Sequence, residues 1–280
     1  MTSTPTALQQ VVITAEKLRR KLDAGRDVVV LEVSREPRGV EQDGAGHLPG
    51  AHQTSLSTHF AGPRSAGSGS FPLPTEDQLQ SDVRRWGVTA DSIVVVYSRE
   101  NPALAARAWW TLRWAGVPDV RYLDGGADAW VAAGGDLSTQ PPAEANGTFR
   151  VAVGSVPSVD TGAVGALARE GVLLDARGPD AYQGDGAGGG HIPGAVNLPG
   201  TANLAPDGRL KDDDELRELY RAAGVDGRTP VGAYCGGGVA AALDVLALAR
   251  LGITAALYAG SFSAWSADPD RPVVTGGAPG

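Results

Sequence analysis

The single cysteine of the 280-residue chain, Cys235, stands where three kinds of sequence meet. A short apolar run, Val231-Gly232-Ala233-Tyr234, leads into it. Gly236, Gly237 and Gly238 follow directly. Val239 and Ala240 then open an apolar, alanine-rich stretch that runs to Arg250 and reads as a helix. Strand, glycine loop and helix in that order put the sulfur at a strand's carboxyl end. The same order turns the next helix's N-terminus back towards it. Unpaired N–H groups there favour an anion, and so favour the thiolate, which is the nucleophilic form. A lone cysteine is more often a small buried hydrophobe. Three consecutive glycines argue against that here, because they reach positive φ cheaply but are costly to order. The chemistry expected at Cys235 is nucleophilic attack through a covalent intermediate on sulfur.

Composition narrows the class. The length suits two domains, at roughly 100–200 residues each, and 42% hydrophobic residues suffice for their cores. A net charge of −8 speaks against nucleic acid, which calls for a basic face. No apolar run approaches the ~20 residues of a membrane helix. The N-terminal residues Met1 to Pro5 show neither a basic n-region nor an apolar h-region, so no signal peptide is expected. One cysteine excludes an internal disulfide framework and fits a reducing cytoplasm. It also excludes thiolate-rich zinc sites, and His47, His52, His59 and His191 are not at zinc-ligand spacings with it. Neither metal nor cofactor is expected.

The elements that must position the thiol read as alternating strands and helices. Thr14 can cap a helix to about Ala24, with Gly25 as its stop. Val28–Val33 and Ile93–Tyr97 are uninterrupted apolar runs, as in strands buried on both faces. Residues 61–74, rich in Gly, Ser and Pro, suggest an exposed loop. Thr75 with Gln78 reads as a capping box for a helix to about Trp86. A helix over Ala103–Ala115, a strand over Val120–Leu123 and a short helix over Gly126–Ala133 follow. Residues 136–157, with Pro141-Pro142 and Asn146-Gly147, read as a linker. The order then begins again. A helix is expected near Asp160–Glu170, a strand at Val172–Asp175 and a helix at Asp212–Ala223 with Asp212 and Glu215 paired at its start. The strand into Cys235, its helix, a strand at Ala255–Tyr258 and a short helix near Phe262–Ala267 complete the second half.

The halves are duplicates. Gly46-His47-Leu48-Pro49-Gly50-Ala51 matches Gly190-His191-Ile192-Pro193-Gly194-Ala195. Val96-Tyr97-Ser98 matches Ala233-Tyr234-Cys235, and Leu123-Asp124-Gly125 with Trp130 matches Tyr258-Ala259-Gly260 with Trp265. Alternation of this kind predicts a parallel sheet covered by helices in each half, with sites at the carboxyl ends of strands. Ser98, the counterpart of Cys235, is followed by Arg99-Glu100-Asn101-Pro102 with no glycine. One half keeps a nucleophile and the other only the scaffold.

Taken together, the paired Gly-His-Leu/Ile-Pro-Gly-Ala segments, Asp175-Ala176-Arg177, Cys235-Gly-Gly-Gly-Val-Ala and Gly260-Ser261-Phe262-Ser263-Ala264-Trp265 with Arg271-Pro272-Val273 resemble the tandem rhodanese sulfurtransferases over nearly the whole chain. The resemblance implies an α/β fold of two rhodanese-like domains, each a mainly parallel sheet with helices on both faces. Residues 1–137 would form an inactive domain, 138–157 a linker and 158–280 the catalytic domain. It implies a persulfide on Cys235, loaded from 3-mercaptopyruvate or thiosulfate and unloaded by a thiol, a thiol protein such as thioredoxin, or cyanide. Backbone N–H groups of Gly236, Gly237, Gly238, Val239 and Ala240 would stabilise that anion.

The loop also bears on the donor. Thiosulfate-type members resemble Cys-Arg-Lys-Gly-Val-Thr, and mercaptopyruvate-type members Cys-Gly-Ser-Gly-Val-Thr. Gly236, Gly238 and Val239 follow the second pattern, whereas Gly237 and Ala240 depart from it. The family's arginine in a Phe/Tyr-Arg-Gly segment appears as Gln183. Arg177 is then the anion clamp that the motif supports, with Gln183 as a neutral donor, which suggests a modest preference for 3-mercaptopyruvate. Asp175 is expected to brace loop backbone. His47 and His191 are expected to fix their turns, with His47 the better placed to reach an interdomain cleft. A cysteine phosphatase is excluded because Cys-x5-Arg would need arginine where Ala241 stands. The remaining rival is a non-catalytic interaction or sulfur-carrier module.

Overall fold

The computed structural model describes residues 11–38, 46–184 and 189–280. In the first half, Thr14 caps α1 (Ala15–Asp23) by accepting the Lys17 N–H, and Gly25 at φ +63° turns the chain out of it. The two apolar runs form β2 (Val28–Ser34) and β4 (Ile93–Tyr97), paired at the sheet centre. Beside β4 lie β5 (Val120–Leu123) and then β1 (Val12–Ile13), while β3 (His52–Ser55) flanks β2. The order is β1-β5-β4-β2-β3, all parallel. In the second half, β6 (Val172–Asp175), β7 (Ala195–Asn197), β8 (Val231–Tyr234) and β9 (Ala255–Leu257) pair in parallel as β7-β6-β8-β9.

Caps explain several boundaries. Asp212 and Glu215 form a complete capping box on α7 (Asp213–Ala222). The Thr75–Gln78 pair makes only half of one. Thr75 accepts the Gln78 N–H at the start of α2 (Glu76–Arg85), but the Gln78 amide donates instead to the Thr58 and Ala61 carbonyls. One carbonyl lies within the π-helical turn Leu56–Phe60 and the other just after it, so Gln78 stitches that turn to α2. The helix expected from Asp160 begins later, as α5 (Val164–Glu170), because the Asp160 carboxylate takes the Ala163 N–H in a preceding turn.

The duplication is visible in hydrogen bonds. The Tyr97 hydroxyl accepts the Leu48 N–H at 3.0 Å, and the Tyr234 hydroxyl accepts the Ile192 N–H at 3.1 Å. His47 N–H donates to Ser138 O, and His191 N–H to Val274 O, each at 2.8 Å. Each Gly-His-x-Pro-Gly-Ala turn is thus a clasp. It ties a tyrosine at the end of a central strand to the chain leaving that domain.

The domains meet through α3 (Pro102–Trp114) and α8 (Ala241–Arg250). α3 is buried from Ala103 to Leu112, and α8 from Ala241 to Leu248. Their alanines allow close approach, and the apolar clusters of both domains merge here into one core. Trp109 and Trp110 are buried in it, and Trp114 stacks on Trp110. Residues 147–155 are pinned along the first domain, with Phe149 N–H on Val88 O and Ala152 N–H on Ala115 O, and Pro157 O then takes the Leu257 N–H of the second. The loop 61–74 is exposed only in part. Its distal end reaches the second domain, where Gly69 lies hard against the Gly260 carbonyl and Ser70 N–H donates to the Ser263 hydroxyl.

Candidate active site

β8 ends at Tyr234 and delivers Cys235 into the loop ahead of α8, with 4% of its surface exposed. The Gly238 N–H donates to the sulfur at 3.1 Å. Gly238 does this at φ +76°, where glycine alone is unstrained. The Cys235 N–H donates to the Ser261 hydroxyl at 3.1 Å, and that hydroxyl donates to Tyr258 O. Ser261 itself is held at φ +55°. Main-chain bonds from Phe262 N to Cys235 O and Ser263 N to Gly236 O tie the loop to α9 (Ser261–Trp265). Each peptide around the sulfur is therefore anchored. α8 begins at Ala241, two residues later than its sequence suggests, because residues 236–240 form this turn.

The first domain builds the other wall. A cleft of about 560 Å³ opens beside Gly236 and Gly237, lined across from them by Arg35, Arg64, Ser70 and Phe71. Two cations face it against one acid, Glu36. Arg35 lies over the Phe71 ring at 5.3 Å. A side chain at position 237 would meet Ser70 Cβ at 3.0 Å and Phe71 at 3.1 Å, so the first domain occupies the room that a serine there would need. Position 236 has open space around it. Beneath the loop, Arg107 of α3 donates to the Gly238 carbonyl at 3.0 Å and to the Phe71 carbonyl at 3.1 Å. Burial pushes the Arg107 guanidinium down to about 10, against the opposing pull of Cys235, so it remains a cation at neutral pH. An apolar cavity of about 260 Å³, lined by Trp110, Val245 and Ile253, lies along the α3–α8 seam and does not reach the thiol.

The residues singled out from sequence scatter. Arg177 is committed within its own domain, with Nε at 2.9 Å and Nη2 at 2.5 Å from the Asp175 carboxylate and Nη2 also on Gly190 O. Burial works against its charge, but Asp175 outweighs that and raises its pKa. Its guanidinium covers the Phe262 ring at 4.0 Å, so it buttresses α9. Asp175 also accepts the Arg177 N–H and so braces the loop backbone. Gln183 ends α6 (Pro179–Gln183), with its carbonyl on Gly276 N–H. His47 is buried with Nδ1 on Leu48 O. Neither Arg177, Gln183 nor His47 lines the cleft. Arg35, Arg64, Ser70 and Arg107 were invisible to sequence reasoning, since nothing in their local pattern points to a thiol more than 120 residues away. Among the described residues no cluster of three His, Cys, Asp or Glu is placed to hold a metal ion. No helix among them is long and apolar enough to cross a membrane.

The rhodanese-like domain family matches residues 14–133 and again 162–268. The chain belongs to the rhodanese family. It is 43% identical to SseB of Mycobacterium tuberculosis H37Rv, provisionally named a thiosulfate sulfurtransferase, over 95% of this chain and 98% of that one. It is 33% identical to the 3-mercaptopyruvate sulfurtransferase of Escherichia coli K12, over 88% and 90% of the two chains. The crystal structure of the Escherichia coli rhodanese-fold 3-mercaptopyruvate sulfurtransferase SseA superposes with a TM-score of 0.79 at 30% identity, covering 90% of this chain and 98% of that one. Two rhodanese-like domains with parallel sheets are thus the architecture of this family member.

The rhodanese pairing of a cysteine-bearing and a cysteine-free domain gives a first expected result. The Ser98 hydroxyl accepts the Glu100 and Asn101 N–H groups at 3.2 and 3.3 Å, so it serves its own loop. Ser98→Ala should leave kcat and KM unchanged within about twofold, the scale of a surface hydrogen bond. A large fall in kcat would give the first domain a chemical step of its own.

Proposed function

We propose that this chain is a sulfurtransferase in which Cys235 takes the outer sulfur of a small anionic donor, thiosulfate or 3-mercaptopyruvate, and passes it to a thiol or to cyanide. The observation that carries this reading is the Cys235 sulfur on the Gly238 N–H, in a loop whose Gly236 and Gly237 line a cleft with two cations. The thiolate attacks the donor's outer sulfur. The S–S bond of thiosulfate or the C–S bond of mercaptopyruvate breaks. Its electron pair leaves with sulfite or with pyruvate enolate, which then takes a proton from water. The enzyme holds a persulfide anion. Cyanide attacks the terminal sulfur, leaves as thiocyanate and returns the thiolate. A dithiol protein of the thioredoxin kind would accept the sulfur on one thiol and expel hydrosulfide by closing its disulfide. A lone working thiol fits the reducing cytoplasm.

Donor binding falls to Arg35 and Arg64 in this reading, because Arg177 is held by Asp175. The sequence-based preference for mercaptopyruvate rested on a loop without cations and on Arg177 holding one carboxylate alone, whereas these two arginines bring cations from the other domain. Cleft cations of this kind serve a dianion as well as a carboxylate. Arg35→Ala with Arg64→Ala should raise KM for both donors roughly tenfold, the low end for a charge-assisted hydrogen bond, with thiosulfate the more affected. An unchanged KM would remove this cleft as the donor site. The function itself is tested by cyanolysis of donor-treated protein, which should release one thiocyanate per chain and none from Cys235→Ser. A donor-treated wild-type chain that yields none would overturn the proposal.

A further inference from the structure

Arg107 is fully buried, yet its hydrogen bonds end on two main-chain carbonyls and its Nε has no partner. Among the described residues it makes no ion pair with a carboxylate. An uncompensated buried cation is strongly disfavoured, so buried arginines are normally paired. The ionisable groups around it leave one candidate. Asp244 of α8 has its carboxylate on Asn203, and burial pushes it far up towards the neutral form. Glu36, Arg35 and Arg64 face the open cleft beyond Phe71. Tyr258 is tied to Thr161, and its hydroxyl is raised by burial. The remaining candidate is the Cys235 sulfur, which meets Arg107 through Gly238.

The link between them is one glycine. Arg107 Nη1 holds the Gly238 carbonyl at 3.0 Å, and the Gly238 N–H holds the sulfur at 3.1 Å. A cation on that carbonyl polarises the Gly238–Val239 peptide, whose N–H is that of Val239, so its hold on the sulfur's donor acts through the conformation of Gly238. It locks Gly238 in the left-handed conformation from which its N–H reaches the sulfur. We propose that Arg107 is a positioning residue and the counter-charge of the Cys235 anion, so that the domain without a nucleophile stabilises the thiolate and the persulfide formed in the other. The persulfide half of this inference rests on the sulfurtransferase reading. The thiolate half does not. Both groups are buried, and such a pair interacts far more strongly than one at the surface. The sulfur's charge state and the seating of α3 on the loop are thereby coupled.

Two substitutions separate charge from bracing. Arg107→Lys keeps the cation, whereas Arg107→Gln keeps a donor for the Gly238 carbonyl and loses the charge. Cys235 alkylation by iodoacetamide at neutral pH, without any sulfur donor, should slow about tenfold or more in Arg107→Gln, the scale of one lost charge-assisted hydrogen bond. Arg107→Lys should recover most of the rate. With donor, kcat should fall in the same order while KM stays level. Parent-like alkylation in Arg107→Gln, or equal losses in Gln and Lys, would overturn the inference. Should neither variant fold, the unmodified protein decides. Loading sulfur, verified by mass, should raise Tm by about 2 °C or more, with no change in Cys235→Ser. A verified persulfide without that rise would sink the counter-charge and leave sulfur transfer standing. Failure to load would sink sulfur transfer, and wherever a variant folds its alkylation rate judges Arg107 independently of loading.

Discussion

Cys235→Ser is expected to abolish sulfur transfer from both donors, with kcat down at least about a thousandfold, as for loss of a covalent nucleophile. Serine is nearly isosteric, and the Gly238 N–H and the Ser261 hydroxyl that frame position 235 remain. The fold should therefore be intact, as a matching thermal melt and circular dichroism spectrum would show. What is lost is the soft, ionisable sulfur. A serine hydroxyl stays protonated at neutral pH and forms no stable bond to sulfane sulfur. The chain has no second cysteine to take over. Residual turnover above a tenth of wild type would require a nucleophile other than Cys235.

Gly238→Ala should be nearly as damaging, for a different reason. Gly238 sits at φ +76°, which costs an alanine about 1 kcal/mol or more. The added Cβ would lie 2.6 Å from the Ala259 carbonyl oxygen and 2.6 Å from Arg107 Nη1. The loop must shift, and both the N–H on the sulfur and the carbonyl under Arg107 move with it. A fall in kcat of roughly a hundredfold is expected, the scale of one lost preorganised donor to a reacting anion, with a Tm lowered by several degrees. Gly236→Ala is the control. Its Cβ meets nothing within 4 Å and its φ is not positive, so kcat should hold within about twofold. Equal damage at 236 and 238 would mean that loop chemistry, rather than these two contacts, needs the glycines.

The sequence displayed whatever is local or repeated. Val28–Val33 and Ile93–Tyr97 announced central strands because both faces are buried. Asp212 and Glu215 announced α7 because a capping box is a contact across four residues. The two Gly-His-x-Pro-Gly-Ala clasps announced the duplication, and with it the pairing of Ser98 and Cys235. Short polar strands escaped notice. β3, His52-Gln53-Thr54-Ser55, earns its place by pairing with β2 rather than by any apolar pattern. The half-made box at Gln78 shows a tertiary demand overriding a local signature.

The candidate site divides along the same line. Its nucleophile and glycines are contiguous and were legible. Its cations are not. Arg107 lies amid alanines and tryptophans on α3, where an arginine looks like an ordinary helix residue until α8 packs against it. Arg35 and Arg64 sit in polar loops, which carry no periodicity. Arg177, which stands next to a strand end, is paired with Asp175 of its own domain. The absence of a side chain at 237 has its explanation in Ser70 and Phe71, more than 160 residues earlier.

The most direct test of the account is the intact mass of the purified protein after incubation with thiosulfate or 3-mercaptopyruvate and removal of the donor. A gain of about 32 Da, one sulfur atom on the covalent enzyme, is expected. Cyanide should erase it, and Cys235→Ser should never show it. A chain that turns over donor while its mass stays unchanged, or a gain that survives in Cys235→Ser, would contradict sulfur transfer through Cys235.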